Sequence, residues 1–337
     1  MGDAPKVACG LANLGNTCYL NATLQVLVHV PPLVRFVLQQ PPAVPSGDRP
    51  ATEKEVQAAE DAELYAAARR VFALTWAHAG RSMVVSPGEL VGALRPPLAR
   101  HGIANVRDQS DAHELYCILA DAMCSGAPDR RAMADVLCGS TQQLVRCETC
   151  GATSTQVTPF TTLDIDLGAD PREGTPATVG ELLRRSFAPE RVAPWTCDAC
   201  GRARSAAKIT RLWALPAALI VCIKRTVGAG AWDVSRRPVL PEETLSRSLL
   251  ARLAAPGSPA ASGIDRQRGV RYRLSGVVCH FGNQGGGHYT ALVRHPEAQE
   301  AGDSGSWLAY DDESVHRVGA LPEGAHASCY MLAYARL

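Results

Sequence analysis

Cys9-Gly10-Leu11-Ala12-Asn13-Leu14-Gly15-Asn16-Thr17-Cys18-Tyr19-Leu20-Asn21-Ala22-Thr23-Leu24-Gln25 is the stretch on which the reading of this chain turns. Gly10, Asn13, Gly15 and Asn16 are turn formers that tolerate unusual backbone angles, and Asn16 or Thr17 is placed to cap a helix. Leu20, Leu24, Leu27 and Val28 then recur at helical spacing until Pro31-Pro32. The stretch reads as a loop delivering Cys18 to the first turn of that helix. There the positive end of the backbone dipoles is expected to lower the thiol pKa and favour the nucleophilic thiolate. A lone cysteine in an apolar setting is more often inert packing, so the decision falls to the rest of the chain.

The 337 residues hold one large domain or two modest ones, with a core that needs no disulfide staples. The net charge of +1 argues against nucleic acid or an anionic membrane surface as partner. Met1-Gly2-Asp3-Ala4-Pro5-Lys6 lacks the apolar core of a signal peptide and does not meet the myristoylation pattern. No apolar run approaches the roughly 20 residues that span a bilayer. The twelve cysteines are therefore expected to be reduced thiols and metal ligands in the cytosol or nucleus, and the chain to be a monomer.

The first third reads as helical. Leu33 to Gln39 makes a further turn or two, and the proline-rich segment from Pro41 to Pro50 is a loop. A long helix is expected from Glu53 to about Ala79, stopped by Gly80. Ser86-Pro87-Gly88-Glu89 opens a short helix through Leu94, and Asp108 or Ser110 caps another over Asp111 to about Met123. Near residue 140 the pattern changes to strands: Leu144-Val145-Arg146, Thr162 to Leu167, and Ile209 to Trp213 alternate apolar with polar. Thr178-Val179-Gly180-Glu181 is a capping box, and Ala217 to Ile223 reads as a buried central strand. After a flexible Ala254–Gly263 stretch, strands over Tyr272–Phe281, His288–Arg294, Trp307–Tyr310 and Cys329–Tyr334 suggest an antiparallel meander.

Three constellations carry chemistry. Cys147-Glu148-Thr149-Cys150-Gly151 and Cys197-Asp198-Ala199-Cys200-Gly201 are two knuckles in which a two-residue gap lets both thiolates converge on one metal and the glycine relieves the turn. Four sulfurs close a tetrahedral Zn²⁺ site with no open position, which makes it structural. A redox Cys-x-x-Cys or two unrelated pairs are the competing readings. The second constellation is the glycine-rich turn Gly282 to Gly287 ahead of His288-Tyr289; it lacks the Lys-Ser/Thr of a phosphate loop but suits a place where another backbone approaches closely. The third, Trp307 to Ser314, ends a strand in Asp311-Asp312-Glu313, which is either a solvated turn or a carboxylate orienting His288. His113-Glu114 is not a zinc-protease helix, because position 117 is cysteine rather than histidine.

Together these blocks resemble the ubiquitin-specific proteases. The stretch from Gly10 to Asn21 looks like the family's cysteine box, and Gln109-Ser110-Asp111-Ala112-His113-Glu114-Leu115 its glutamine-aspartate motif. Gly286-Gly287-His288-Tyr289 with Trp307 to Val315 resembles the histidine box, and Pro216–Arg225 and Tyr330–Tyr334 are similar to core strands. The resemblance implies an α+β, papain-like cysteine peptidase fold: one catalytic domain over 1–337 with a helical thumb (about 9–138), zinc-binding β fingers (about 140–215) and an antiparallel β palm (about 216–337, sharing strands with the fingers). It implies Cys18 as nucleophile, His288 as base and acid, Asp311 as the residue orienting it, Asn13 as oxyanion donor and Asp312 in support. Gln109, Asp111, Glu114 and Tyr289 match positions holding the modifier's tail, and Zn²⁺ on Cys147, Cys150, Cys197 and Cys200 the finger site. Ubiquitin and ubiquitinated proteins are the implied partners. Asp111 to Tyr116 is also similar to relatives that process an interferon-induced ubiquitin-like modifier, and Thr226 departs from the family's usual phenylalanine. A non-catalytic ubiquitin-binding scaffold would lose a triad member, and a zinc-ribbon nucleic-acid binder would need a basic face.

Overall fold

The computed structural model describes residues 9–42, 52–78, 83–103, 105–106, 110–167, 175–225, 235–265, 269–283, 286–295 and 306–337. Helix α1 (Cys18–Leu27) starts at the expected cysteine, and the proline pair ends its run by opening α2 (Pro31–Gln39), turned 88° away. Helix α3 (Glu53–Ala77) begins at a complete capping box of Thr52 and Glu55; its expected stop, Gly80, lies outside the described residues. Helix α4 (Gly88–Arg100) has no side-chain cap and runs past its expected end at Leu94, carrying Pro96 and Pro97, because Leu98 is buried in the core. Asp111 caps α5 (Ala112–Gly126), its carboxylate accepting the His113 and Glu114 amides at 2.7 and 3.1 Å. The cap is thus neither Ser110 nor Asp108, the latter outside the described residues. Helix α6 (Arg130–Leu137), which the sequence reading misses, is capped by Asp129.

Beyond it the chain is mostly strand. A pair of two-residue strands, β1 (Gly10–Leu11) and β2 (Val84–Val85), ties the Cys18 loop to the start of α4. A four-stranded finger sheet has the order β4-β3-β8-β7, from β3 (Gly139–Cys147), β4 (Thr153–Phe160), β7 (Glu190–Thr196) and β8 (Ala203–Ala214). The larger palm sheet is built from β5 (Thr162–Asp166), β9 (Ala218–Lys224), β12 (Tyr272–Asn283), β13 (Gly286–Arg294), β14 (Trp307–Asp311), β15 (Ser314–Val318) and β16 (Cys329–Arg336). Their order is β15-β14-β13-β12-β16-β9-β5, with β11 (Thr244–Leu245) added on β12, while β6 (Ala177–Thr178) and β10 (Val239–Leu240) form a separate parallel pair. The palm is not wholly antiparallel as expected: β5 pairs with β9 in parallel, since the finger excursion lies between them and returns the chain in the same direction. The meander holds for β12 to β15, while β16 inserts on the other side of β12.

Both faces of the palm are covered. On β9, Ala218, Ile220 and Cys222 face a core shared with the thumb helices, whereas Leu219, Val221 and Ile223 join a second core. That second core takes in α7 (Val179–Ser186), which starts at the Thr178/Glu181 capping box, α8 (Arg247–Leu253) and α9 (Pro259–Asp265). The Ala254–Gly263 stretch, expected to be flexible, is therefore partly helical: Ser258 Oγ accepts the Ala261 amide at 3.1 Å, and Ala260 and Ile264 are buried. Each large aliphatic side chain buried on either face contributes about 1.5–3 kcal/mol, so the sheet and the helices seated on it hold the thumb against the palm.

Candidate active site

The thumb–palm contact joins Asn13 to Asp312 and packs the helix that carries Cys18 on the strand that carries His288. Helix α1 packs on β13, and Cys18, at its first turn, is only 4% exposed. The backbone N–H of Tyr289, the residue after His288 on β13, favours the Cys18 thiolate. Burial raises the Cys18 pKa; the Tyr289 amide pulls it down, and the negative charge of Asp312 pushes it up. The net shift is upward, against the sequence expectation. The dipole argument ignores that α1 is buried from its first residue, so the thiolate loses water there. Ionisation of Cys18 therefore needs a base beside it. Thr17 also departs from expectation. It occupies the N-cap position, but its hydroxyl turns back into the loop, accepting the Leu14 amide at 2.9 Å.

His288 supplies an imidazole whose Nε2 lies 2.6 Å from Asp311 Oδ1. That contact commits Nε2 to the carboxylate and leaves Nδ1 as the nitrogen available to a reacting thiol. Ring and carboxylate are 45% and 56% exposed, so the pair is open to solvent while Cys18 is buried. Gly287 has a structural reason to precede His288: a Cβ there would overlap the His280 ring and the Phe281 carbonyl across the β12–β13 pair.

Asp312 comes next, in a left-handed conformation (φ 50°) in the tight turn between β14 and β15. Three hydrogen bonds hold it. Its carbonyl accepts the Leu11 amide at 2.9 Å, and its carboxylate accepts Asn13 Nδ2 at 2.7 Å and Asn21 Nδ2 at 2.8 Å on different oxygens. Gly10 completes the clamp, since any Cβ on it would overlap the Glu313 backbone. Asn13 in turn accepts the Gly15 and Thr17 amides at 3.0 and 3.3 Å, which fixes which end of its amide faces Asp312. The second Nδ2 hydrogen remains to donate elsewhere. Asn21 is a functional position the sequence reading missed, although it lies within the Cys9–Gln25 stretch; a fully buried amide one turn past the cysteine is the signal.

The predicted tail-binding residues divide. Asp111 spends one oxygen on capping α5 and gives the other to the Tyr330 hydroxyl at 2.6 Å. Glu114 is exposed on the first turn of α5. Tyr289 is buried, with its ring 4.6 Å from His280 and 6.2 Å from Tyr330. Gln109 lies outside the described residues. The four knuckle cysteines meet at the tip of the finger sheet, their sulfurs all within 4.8 Å of one another. Gly151 and Gly201 take left-handed angles (φ 74° and 64°), and the Thr149 amide donates to Cys147 Sγ at 3.4 Å. Amides of Cys150 and Thr149 draw the Cys147 pKa down to about 6. Converging thiols with amide donors around a sulfur are what a thiolate-bound metal requires.

Known proteins are similar to this chain in sequence and in fold. Over 98% of this chain, it is 28% identical to ubiquitin carboxyl-terminal hydrolase 23 of Arabidopsis thaliana, and over 97%, 25% identical to ubiquitin carboxyl-terminal hydrolase Usp2 of Drosophila melanogaster. These matches span 36% and 35% of those relatives, so the chain covers about a third of their length. In three dimensions it resembles the SAGA Ubp8/Sgf11/Sus1/Sgf73 DUB module bound to ubiquitin aldehyde. The TM-score is 0.73 at 18% identity, covering 100% of this chain and 71% of that one, which shows the shared fold. The family model for ubiquitin carboxyl-terminal hydrolase matches residues 9–334, nearly the whole chain, and so this protein belongs to the ubiquitin carboxyl-terminal hydrolase family.

Proposed function

We propose that this chain is a thiol isopeptidase that hydrolyses the bond after the C-terminal glycine of ubiquitin, with residues 1–337 acting as one catalytic domain. The observation that carries the reading is the His288–Asp311 pair at 2.6 Å, joining β13 to β14, with the buried Cys18 at the start of the helix that packs on β13. His288 Nδ1 takes the Cys18 proton, and Asp311 stabilises the resulting imidazolium. The thiolate attacks the glycine carbonyl; the carbonyl electrons move onto oxygen, where the second Asn13 Nδ2 hydrogen donates. Collapse breaks the C–N bond, and the leaving amine takes the proton from His288. Water, deprotonated by the same imidazole, then cleaves the thioester and restores the thiol.

Asp111, Glu114, Tyr289 and Gln109 are assigned to the modifier's tail, with Tyr289 as the wall of the channel between α5 and the palm. Zn²⁺ on Cys147, Cys150, Cys197 and Cys200 is assigned a structural role, pinning the finger tip. Such an enzyme works in a reducing compartment, cytosol or nucleus, where its thiols persist.

Ubiquitin carrying a C-terminal fluorophore tests the activity. Release by the wild type and none by Cys18→Ala supports the reading, and equal release by both refutes it. Side-by-side substrates made from ubiquitin and from ubiquitin-like modifiers decide which tail is preferred.

A further inference from the structure

His113, set aside in the sequence because position 117 is not histidine, has an unexpected setting. One turn apart on α5, His113 and Cys117 share a helix face. Facing them are the two parallel strands at the end of the palm sheet, where Asp164 of β5 lies directly opposite Cys222 of β9. The alternation of both strands dictates this. Leu163 and Ile165, with Val221 and Ile223, enter the second core, so Asp164 and Cys222 point the other way.

Three of these side chains converge, and the fourth, Cys117, touches His113. His113 Nε2 is 3.4 Å from Asp164 Oδ1 and 3.5 Å from Cys117 Sγ. The ligand atoms of His113, Asp164 and Cys222 all lie within 4.8 Å of one another. Ligands of a tetrahedral zinc ion, at bond lengths of about 2.0–2.3 Å, are separated by about 3.3–3.8 Å. Two of the contacts already have that spacing. Thr162 Oγ1, 3.0 Å from the same Nε2, donates to Asp164 Oδ1 at 3.1 Å, so one ring nitrogen is crowded by two oxygens and a sulfur. A single N–H serves one of these three neighbours at a time.

We propose that His113, Cys117, Asp164 and Cys222 form a second, mixed-ligand divalent-metal site, suited to zinc, that clips thumb helix α5 to palm strands β5 and β9. The donor set of one imidazole nitrogen, two sulfurs and one carboxylate oxygen selects zinc over the hard cations magnesium and calcium. Outer-sphere support is present: Lys224 Nζ holds Asp164 Oδ2 at 3.1 Å, leaving Oδ1 turned inward. Zinc and Lys224 together balance the two thiolates and the carboxylate. Cys222 is buried, and Asp164 and Lys224 are open to solvent, so the site has an entry side.

Elemental analysis of the whole protein, isolated with zinc and a reductant present, tests this without reference to hydrolysis. Two zinc ions per chain are expected, one in the fingers and one here. Asp164→Ala, at a partly exposed position that leaves the core intact, and Cys222→Val are each expected to retain one. Cobalt substitution adds a second readout. The cobalt lost on Asp164→Ala should carry a weaker sulfur-to-metal charge-transfer band than the four-sulfur finger site that remains. One zinc per wild-type chain, or two in both variants, overturns the proposal.

Discussion

Asn13 and Asp312, 299 positions apart in sequence, are joined by a 2.7 Å hydrogen bond from the Asn13 amide to the Asp312 carboxylate. The carboxylate also takes Asn21, and the Leu11 amide donates to the Asp312 carbonyl. The loop before Cys18 and the turn after Asp311 are thus one unit. Asp312 acts as a positioning residue for Asn13, and the two should behave as one in mutants. Asn13→Ala is expected to lower kcat by about 10²–10³, the usual loss for one oxyanion donor. Asp312→Ala should lower kcat more than it raises KM, and the double variant should fall little below Asn13→Ala. Steady-state hydrolysis of a fluorogenic ubiquitin checks this; fully additive losses contradict it.

Gly10 lets the same two segments touch. Gly10→Ala forces a methyl into the Glu313 backbone and should cost about 1–3 kcal/mol of stability while lowering kcat. Denaturant unfolding and kinetics on the same sample measure both. An unchanged midpoint would contradict the packing described.

The raised pKa of Cys18 gives a pH test. Burial opposes ionisation most strongly, so without a base the thiol stays protonated at neutral pH and ionises only above its ordinary value of 9.0. In His288→Ala, alkylation of Cys18 by iodoacetamide should be slow at pH 7 and rise steeply only above pH 9. In the wild type it should be fast near neutrality. Equal profiles would show that His288 does not accept the proton.

His29 predicts an acid sensitivity. Burial between Trp76 and Tyr310 lowers its pKa to about 4, despite the Gln25 carbonyl 2.6 Å from Nδ1; His295 lowers it further. The folded protein holds His29 neutral while the unfolded chain protonates near 6.5. The stability that depends on this group is therefore full above pH 6.5 and falls as pH drops toward 4, by about 3 kcal/mol. Thermal melts from pH 7 to 4 should show a shallower loss for His29→Gln than for the wild type, even if that variant starts less stable.

In the fingers, Cys197→Ala should release the knuckle metal and lower the melting temperature, with the loss read by elemental analysis and calorimetry. Retention of metal and melting temperature would contradict the assignment.

How much of this was legible in the sequence depended on the range of the interaction. Local signals were reliable: the Thr178/Glu181 box starts α7, the Ala217–Ile223 run is the buried strand β9, and the knuckles converge. Signals that compete with burial misled. Ala, Pro, Gly and Ser between 254 and 263 look like a linker, yet Ala260 and Ile264 are buried and α9 forms. Cys18 sits at a helix start, yet desolvation outweighs the dipole. Non-local facts left no local trace: the parallel pairing of β5 with β9, the grip of Asn21 on Asp312, and the meeting of His113 with Asp164 and Cys222. The cysteine, histidine and acid blocks were readable one by one; the clamp that joins them was not.

The proposed chemistry stands on Cys18, among twelve cysteines, being the nucleophile toward a modifier's C-terminal glycine. Ubiquitin bearing a C-terminal electrophile, incubated with the protein and mapped by peptide mass spectrometry, tests it. One adduct is expected, on Cys18, lost in Cys18→Ala and much slower in His288→Ala. No adduct, or an adduct on another cysteine that persists in Cys18→Ala, would contradict it.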